Sequence, residues 1–297
     1  MDDELKLHIE GAVNRAMKYT QPSKRMAQFL KTKPFRGYTP LRVNTLSAVF
    51  LNEEYEKKFI LKRTILRGPS QESDIAMRIK HENIMETYDY CLTEAIDSSD
   101  DGDYLYLFSE YMDVKISQAY IEKKEINIRN IMTDILKGLK YLHDLNIAHL
   151  DLKIANIMGQ TQEDKSVVYK IIDFGFSRNL NLYAGRPDRI ELKGKSYGTF
   201  PYKPPEVIYY NIHGFKSDIW CLGAICYYLS LGRTPFFKKG GERINKDYRN
   251  FAKKPVLYIP DGFSNNFTSF VESCLKTDYD ERPSVDELLE HPFIKNN

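Results

Sequence analysis

The chemistry of this 297-residue chain is concentrated in two short stretches. His149-Leu150-Asp151-Leu152-Lys153-Ile154-Ala155-Asn156 is followed a little later by Ile171-Ile172-Asp173-Phe174-Gly175. An aspartate, an asparagine five positions on, and a second aspartate beside a Phe-Gly pair have the composition needed for one general base and two metal ligands. These side chains depend on the surrounding elements for their positions.

Ahead of the first stretch, Ile128, Ile131, Ile135, Leu139 and Leu142 recur on one face and predict a helix over 126–143. Short extended segments are expected around Ile157 and over Val167 to Ile172, then a long polar loop and further helices. The longest apolar run, Ile219 to Leu231, has 13 residues. That is short of the ~20 needed to span a bilayer, so a buried core helix is expected.

Upstream, the segments 41–51, 58–66, 84–93 and 104–108 read as strands of a small antiparallel sheet. One helix interrupts them, opening near Pro69-Ser70 and running through Ile75, Ala76 and Ile79. The acidic run Asp97 to Asp103 is expected to be a solvated hairpin loop, with a site for a cation or a basic partner as the alternative. Over residues 1–35, Leu5, Ile9, Val13 and Met17 recur every four positions, and Met26, Phe29 and Leu30 form a second stretch. They predict two helices that pack on the adjoining domain or dock a partner.

The length allows one large domain or two modest ones with a core that needs no staples. A composition 42% hydrophobic and 28% charged, with 16 Gly and 13 Pro, excludes disordered, collagen-like and disulfide-scaffold classes. A formal net charge of +2 provides no global field for gripping polyanions, so neither nucleic acid nor membrane is expected as a partner. Cys91, Cys221, Cys226 and Cys274 show no C-x-x-C spacing and read as reduced thiols. The opening Met-Asp-Asp-Glu lacks a secretory pattern. The expected location is intracellular, cytoplasmic or nuclear.

The two chemical stretches resemble those of eukaryotic protein kinases, whose catalytic loop is H-R-D-L-K-x-x-N and whose metal motif is D-F-G. Gly198-Thr199-Phe200-Pro201-Tyr202-Lys203-Pro204-Pro205-Glu206 is similar to the family's G-T-x-x-Y-x-A-P-E. Asp218 to Gly223 is similar to D-x-W-x-x-G, and Arg282 before Pro283 to a late arginine. Phe59-Ile60-Leu61-Lys62 stands in the place of V-A-I-K, and His81-Glu82-Asn83-Ile84 in that of an H-x-N-I turn. The motifs follow the family's order over residues 37–294.

The resemblance implies an α+β, bilobal protein kinase fold. A small antiparallel-sheet lobe with one helix would occupy 37–109, a hinge 110–114 and a larger, mainly helical lobe 115–297, after an N-terminal helical extension over 1–36. It also implies ATP and Mg2+ as cofactors and a protein substrate bearing Ser or Thr. Asp151 would accept the proton of the substrate hydroxyl, and Asn156 and Asp173 would hold magnesium. Lys153 would neutralise the transferred phosphoryl group, with Thr199 bridging it to Asp151. Lys62 would contact the phosphates and pair with Glu72. Val49, Ile60, Ser109, Glu110 and Met112 complete the implied nucleotide-binding set. Glu206 with Arg282 resembles the family's buried ion pair, and His149 with Phe174 its packed stack.

Several positions depart from the family. Anchoring on Val49, the phosphate-covering loop reads Arg42-Val43-Asn44-Thr45-Leu46-Ser47-Ala48-Val49, without one glycine. Such a loop should cradle phosphates less well. Ile60 replaces an alanine over the adenine ring, while the gatekeeper position holds the small Ser109. Ten residues from Lys62 to Glu72 leave room only for a shortened helix. Leu150 replaces the arginine that in many members grips an activation-loop phosphate. That loop carries Tyr183, Ser196, Tyr197 and Thr199 among Arg186, Arg189, Lys193 and Lys195. Some features are similar to myosin light-chain and death-associated kinases and others to monopolar-spindle checkpoint kinases, so no subfamily is assigned. The alternative to an active serine/threonine kinase is a pseudokinase that senses nucleotide or acts as a scaffold.

Overall fold

The computed structural model describes residues 38–43, 47–52, 58–66, 71–93, 103–116, 124–192, 196–235, 257–259 and 261–295. The expected helical extension over 1–36, the loop residues 44–46 and most of the acidic run from Asp97 lie outside them. The chain divides into two compact units, the first reaching Lys80 and resuming over Met85–Tyr111, the second comprising His81–Ile84 and everything from Met112 onward. This differs from the expected uninterrupted small lobe over 37–109. The cause is local: Ile84 bridges to Ile171, and the Asn83 carbonyl accepts from Ile171 N at 2.9 Å.

The first unit is a five-stranded antiparallel sheet in the order β1-β2-β3-β5-β4. The strands are β1 (Tyr38–Val43), β2 (Ser47–Asn52), β3 (Phe59–Leu66), β4 (Thr87–Thr93) and β5 (Asp103–Glu110). Alternation along β3 turns Phe59, Leu61 and Ile65 into the core and Ile60 and Lys62 toward the other face. The segment expected as one strand over 41–51 is two, paired as Val43↔Ala48 with a register shift between Pro40 and Arg42. Pro40 lacks the ladder donor, which suits an edge strand with a bulge. Helix α1 (Glu72–Arg78) buries Ile75 and Ala76 and carries Glu72 in its first turn and Arg78 in its last, complementing its dipole.

The second unit is built on two long helices, α2 (Glu125–Asp144) and α4 (Phe215–Leu231), with α3 (Pro205–Tyr210) between them in sequence. On α2, Ile128, Ile131, Met132, Ile135, Leu136, Leu139 and Leu142 are all at most 1% exposed. Helix α4 buries almost every side chain, including Trp220 and Leu222, and ends on Gly232 at φ 73. It begins four residues before the expected apolar run because Ser217 accepts from the Gly214 amide at 3.1 Å. Among the described residues three short helices follow: α5 (Asn265–Cys274), α6 (Val285–Leu289) and α7 (Pro292–Lys295). Among the described residues no helix is long and apolar enough to cross a membrane. Cys221, Cys226 and Cys274 are buried free thiols.

Three small antiparallel sheets carry the loops. The first has the order β6 (Val114–Lys115), β8 (Ile157–Thr161), β9 (Val167–Ile171). The others pair β7 (Ile147–Ala148) with β10 (Arg178–Asn179), and β11 (Arg189–Glu191) with β12 (Ile212–Gly214).

Helix α3 is bolted to the C-terminal helices by charge. Arg282 donates Nη1 to Glu206 Oε1 at 2.8 Å and Nη2 to Oε2 at 2.7 Å, with 1% and 6% of the two residues exposed. The remaining guanidinium donors reach the carbonyls of Lys276 and Lys216, and Ser217 Oγ donates to Glu206. Such a pair is costly to break because one buried charge stays behind. Arg282→Met is therefore expected to lower unfolding free energy by about 3–5 kcal/mol in urea denaturation. A loss below about 1 kcal/mol would mean that the pair behaves like an exposed one.

Candidate active site

The loop after β7 is shaped by a single carboxylate. Asp218, on α4 and fully buried, accepts the His149 amide at 2.8 Å and the Leu150 amide at 2.9 Å, with His143 Nε2 3.1 Å away. Leu150 is thereby held at φ 63, a left-handed conformation that costs a non-glycine residue about 1–2 kcal/mol. Its buried side chain, packed with Ala148, Leu180 and Ile190, offsets that strain.

His149 knits this loop to the second chemical stretch. Its Nδ1 accepts the Asp151 amide at 3.2 Å, which assigns the ring proton to Nε2, 3.2 Å from the Ile172 carbonyl. The ring stands edge-on to Phe174 at 5.6 Å, and Ser177 Oγ donates to the His149 carbonyl at 3.2 Å. Strands β8 and β9 pair Ile157 with Ile171, so Asn156 precedes one strand of a hairpin and Asp173 follows the other. The Ile172 amide donates to the Asn156 carbonyl at 2.9 Å, closing the open end. Asp173 itself is left-handed at φ 68.

Asp151, 6% exposed, is gripped on both oxygens. Thr199 Oγ1 donates to Oδ1 at 2.6 Å, and Lys153 Nζ donates to Oδ2 at 2.5 Å and to Thr199 Oγ1 at 2.8 Å. Asn156 Nδ2 adds bonds to the Asp151 carbonyl at 2.9 Å and to Oδ2 at 3.3 Å. Gly198 makes the approach of Thr199 feasible: it sits at φ 88, and a Cβ there would stand 3.2 Å from the Leu150 carbonyl. Three residues of one loop and a threonine 48 positions further on thus form one polar cluster around a carboxylate able to accept a proton.

In the first unit, Lys62 Nζ meets Glu72 Oε1 at 2.6 Å, with the glutamate side chain only 3% exposed. Strand register sets Val49 opposite Lys62, and Ile60 opposite Ser109, so all four share one sheet face. Ser109 is buried, its hydroxyl 3.2 Å from Thr87 Oγ1. Glu110 closes β5, exchanging backbone and carboxylate bonds with Glu86 at 3.0 and 2.7 Å. Met112, 4% exposed, is the first residue of the chain's return to the second unit.

Sequence reasoning did not single out His143, Ser177 or Arg178, nor the bond from Arg178 Nη2 to the Tyr197 hydroxyl at 2.6 Å. Their partners lie 19–75 residues away, and no local pattern encodes such pairings. His213 is another such residue: it is 1% exposed, its ring 5.8 Å from that of Tyr197. Burial pushes it down to about 4, with Lys203 and Arg178 acting in the same direction and Asp218 against. An unfolded histidine protonates near 6.5, so between these values the unfolded chain binds the extra proton and stability falls as pH drops. The full loss, reached below both values, is about 3 kcal/mol. His213→Gln should remove this component, narrowing the stability difference between about pH 7 and about pH 5 in urea titrations. Parallel pH dependence in wild type and variant would reject the assignment.

Residues 51–294 match the protein kinase domain family. The chain is 30% identical over 249 residues to a serine/threonine-protein kinase PLK4 of Nematostella vectensis, covering 81% of this chain and 23% of the relative. It is 32% identical over 232 residues to the mitogen-activated protein kinase kinase kinase YODA of Arabidopsis thaliana, covering 76% and 24%. A probable serine/threonine-protein kinase of Dictyostelium discoideum is 31% identical over 262 residues, covering 86% and 38%. The chain therefore spans between about a quarter and two fifths of the length of these relatives. With the family matched over most of its length and its motifs gathered around Asp151, the chain belongs to the protein kinase domain family.

Proposed function

We propose that this chain transfers the γ-phosphoryl group of ATP to serine or threonine hydroxyls of a protein. The observation that carries the reading is the grip of Thr199 and Lys153 on the two oxygens of Asp151. A carboxylate oriented in this way accepts the substrate hydroxyl proton as that oxygen bonds to phosphorus and the bond to the departing ADP breaks. Lys153 offers positive charge beside the reacting centre. Lys62, braced by Glu72, is suited to the ATP phosphates. The same reading carries an intracellular setting, cytoplasmic or nuclear.

The residues also fit magnesium. The amide nitrogen of Asn156 is engaged with Asp151, so Oδ1 is the atom that would meet a cation, and Asp173 would add a carboxylate. Among the described residues no group of three His, Cys, Asp or Glu could hold a metal by itself. Two hard oxygen ligands completed by substrate phosphates suit Mg2+, which when bound neutralises charge on those phosphates.

Intact-mass measurement with phosphosite mapping after incubation in Mg-ATP tests the reaction. Wild type should place phosphate on Ser or Thr, and Asp151→Asn should do so about 10²–10⁴-fold more slowly. An equal rate in the variant would remove Asp151 from the role. No transfer by wild type, even to generic protein substrates, would favour the pseudokinase reading. A second test concerns the adenine slot, where Ile60 and Ser109 are cross-strand partners and the small serine leaves room beside the isoleucine. Ser109→Met should overfill that face and weaken Mg-ADP binding about tenfold by calorimetric titration. Unchanged affinity would show that position 109 does not shape the slot.

A further inference from the structure

We infer that Tyr197 is a positioning residue whose hydroxyl, held by the Arg178 guanidinium, locks the segment carrying Thr199 in place without any phosphate. The inference rests on the kinase reading for its effect on turnover, but its structural half stands on contacts alone.

Arg178 lies on β10 opposite Ala148 of β7, the strand that feeds the loop bearing Asp151. It is 8% exposed, and its guanidinium donates to the Ser177 carbonyl at 2.7 Å and to the Tyr197 hydroxyl at 2.6 Å. The same guanidinium carbon lies 4.5 Å from the centre of the Tyr197 ring. Among the described residues it has no carboxylate partner. A buried cation without a counter-charge is costly, and beside the Ser177 carbonyl the phenol compensates it through an oxygen acceptor and a π face.

The tyrosine is seated from the other side as well. Its ring packs on the cluster of Ala148, Leu150, Leu180 and Ile190, with Phe176 at 5.1 Å. Leu150, standing where many relatives of this family carry an arginine, therefore contributes packing in place of charge. Among the described residues, a phosphate placed beside Leu150 would face the Arg178 guanidinium across that apolar cluster. Tyr197 is two residues from Thr199, and Lys203 ties the neighbouring Ser196 through its carbonyl at 3.2 Å and hydroxyl at 2.9 Å. The Tyr202 amide then donates to the Thr199 carbonyl at 2.8 Å, so slack at Tyr197 passes directly to the residue that holds Asp151.

The test uses the full chain, dephosphorylated and verified by intact mass, as wild type, Tyr197→Phe, Arg178→Lys, Arg178→Met and the Tyr197→Phe/Arg178→Met double variant. Amide hydrogen exchange over 198–202 and steady-state kinetics are read on each. Tyr197→Phe keeps the ring and loses the hydroxyl, so exchange should quicken about tenfold and kcat fall about tenfold, with KM for ATP unchanged. Arg178→Lys should retain part of both, and the double variant should be no worse than Arg178→Met. Where Arg178→Met fails to fold, Tyr197→Phe and Arg178→Lys decide alone. Exchange in Tyr197→Phe equal to wild type, additive losses in the double variant, or activity gained only after the segment acquires phosphate would each overturn the inference. If wild type transfers no phosphate while exchange responds as stated, the kinase reading fails and the latch stands. If wild type is active and Tyr197→Phe matches it in rate and exchange, the kinase reading stands and the latch fails.

Discussion

The buried carboxylate of Asp218 is the point from which the Asp151 loop is hung. It accepts two consecutive backbone amides and lies against His143, so a single side chain on α4 dictates the path of residues 149 and 150. Charge-assisted bonds of this kind are among the stronger ones available, and burial removes the competition from water. Without them the left-handed Leu150 has no reason to persist, and that turn is what brings Asp151 to Thr199 and Lys153. Strain at the loop and stability in α4 are thus two sides of one contact.

From that anchor the chemistry is assembled by short links. His149 hands the position of the loop to Ile172 and Phe174, and the β8–β9 hairpin brings Asn156 and Asp173 to the same end. The segment leading to Thr199 is fastened at Arg178, Ser196 and Thr199. A buried charge pair, Glu206 with Arg282, ties α3 to the segment ahead of α6. In the first unit the economy is similar: α1 has only seven residues, yet it begins at Glu72, so the partner of Lys62 sits where the helix dipole favours a carboxylate.

Much of this was legible in the residues. The 3.6-residue repeat of α2 predicted its span to within a residue at either end, and the first chemical stretch held Lys153 and Asn156, two of the groups that meet at Asp151, while Thr199 came from the resemblance of the Gly198–Glu206 segment. Strand pairing was less legible. The run 41–51 reads as continuous because Leu41, Val43, Val49 and Leu51 all suit a strand, and only the register reveals the hairpin within it. His81–Ile84 reads as part of the sheet unit, yet a single bridge to Ile171 draws it into the other.

What the chain of residues determined by itself was the inventory: which carboxylates, amides and lysines exist, on what kind of element each lies, and that Lys62 and Glu72 stand at a pairing distance in sequence. Periodicity and motif spacing are local properties, and local interactions fix them. Only the tertiary structure decided that Asp218 caps a loop 68 residues earlier, that Ile60 faces Ser109, and that Arg178, which meets no carboxylate among the described residues, takes a tyrosine as its partner. Those pairings follow from burial. A polar group removed from water must find a partner among whatever the fold brings within about 3 Å, and nothing in its neighbours along the chain specifies which that is.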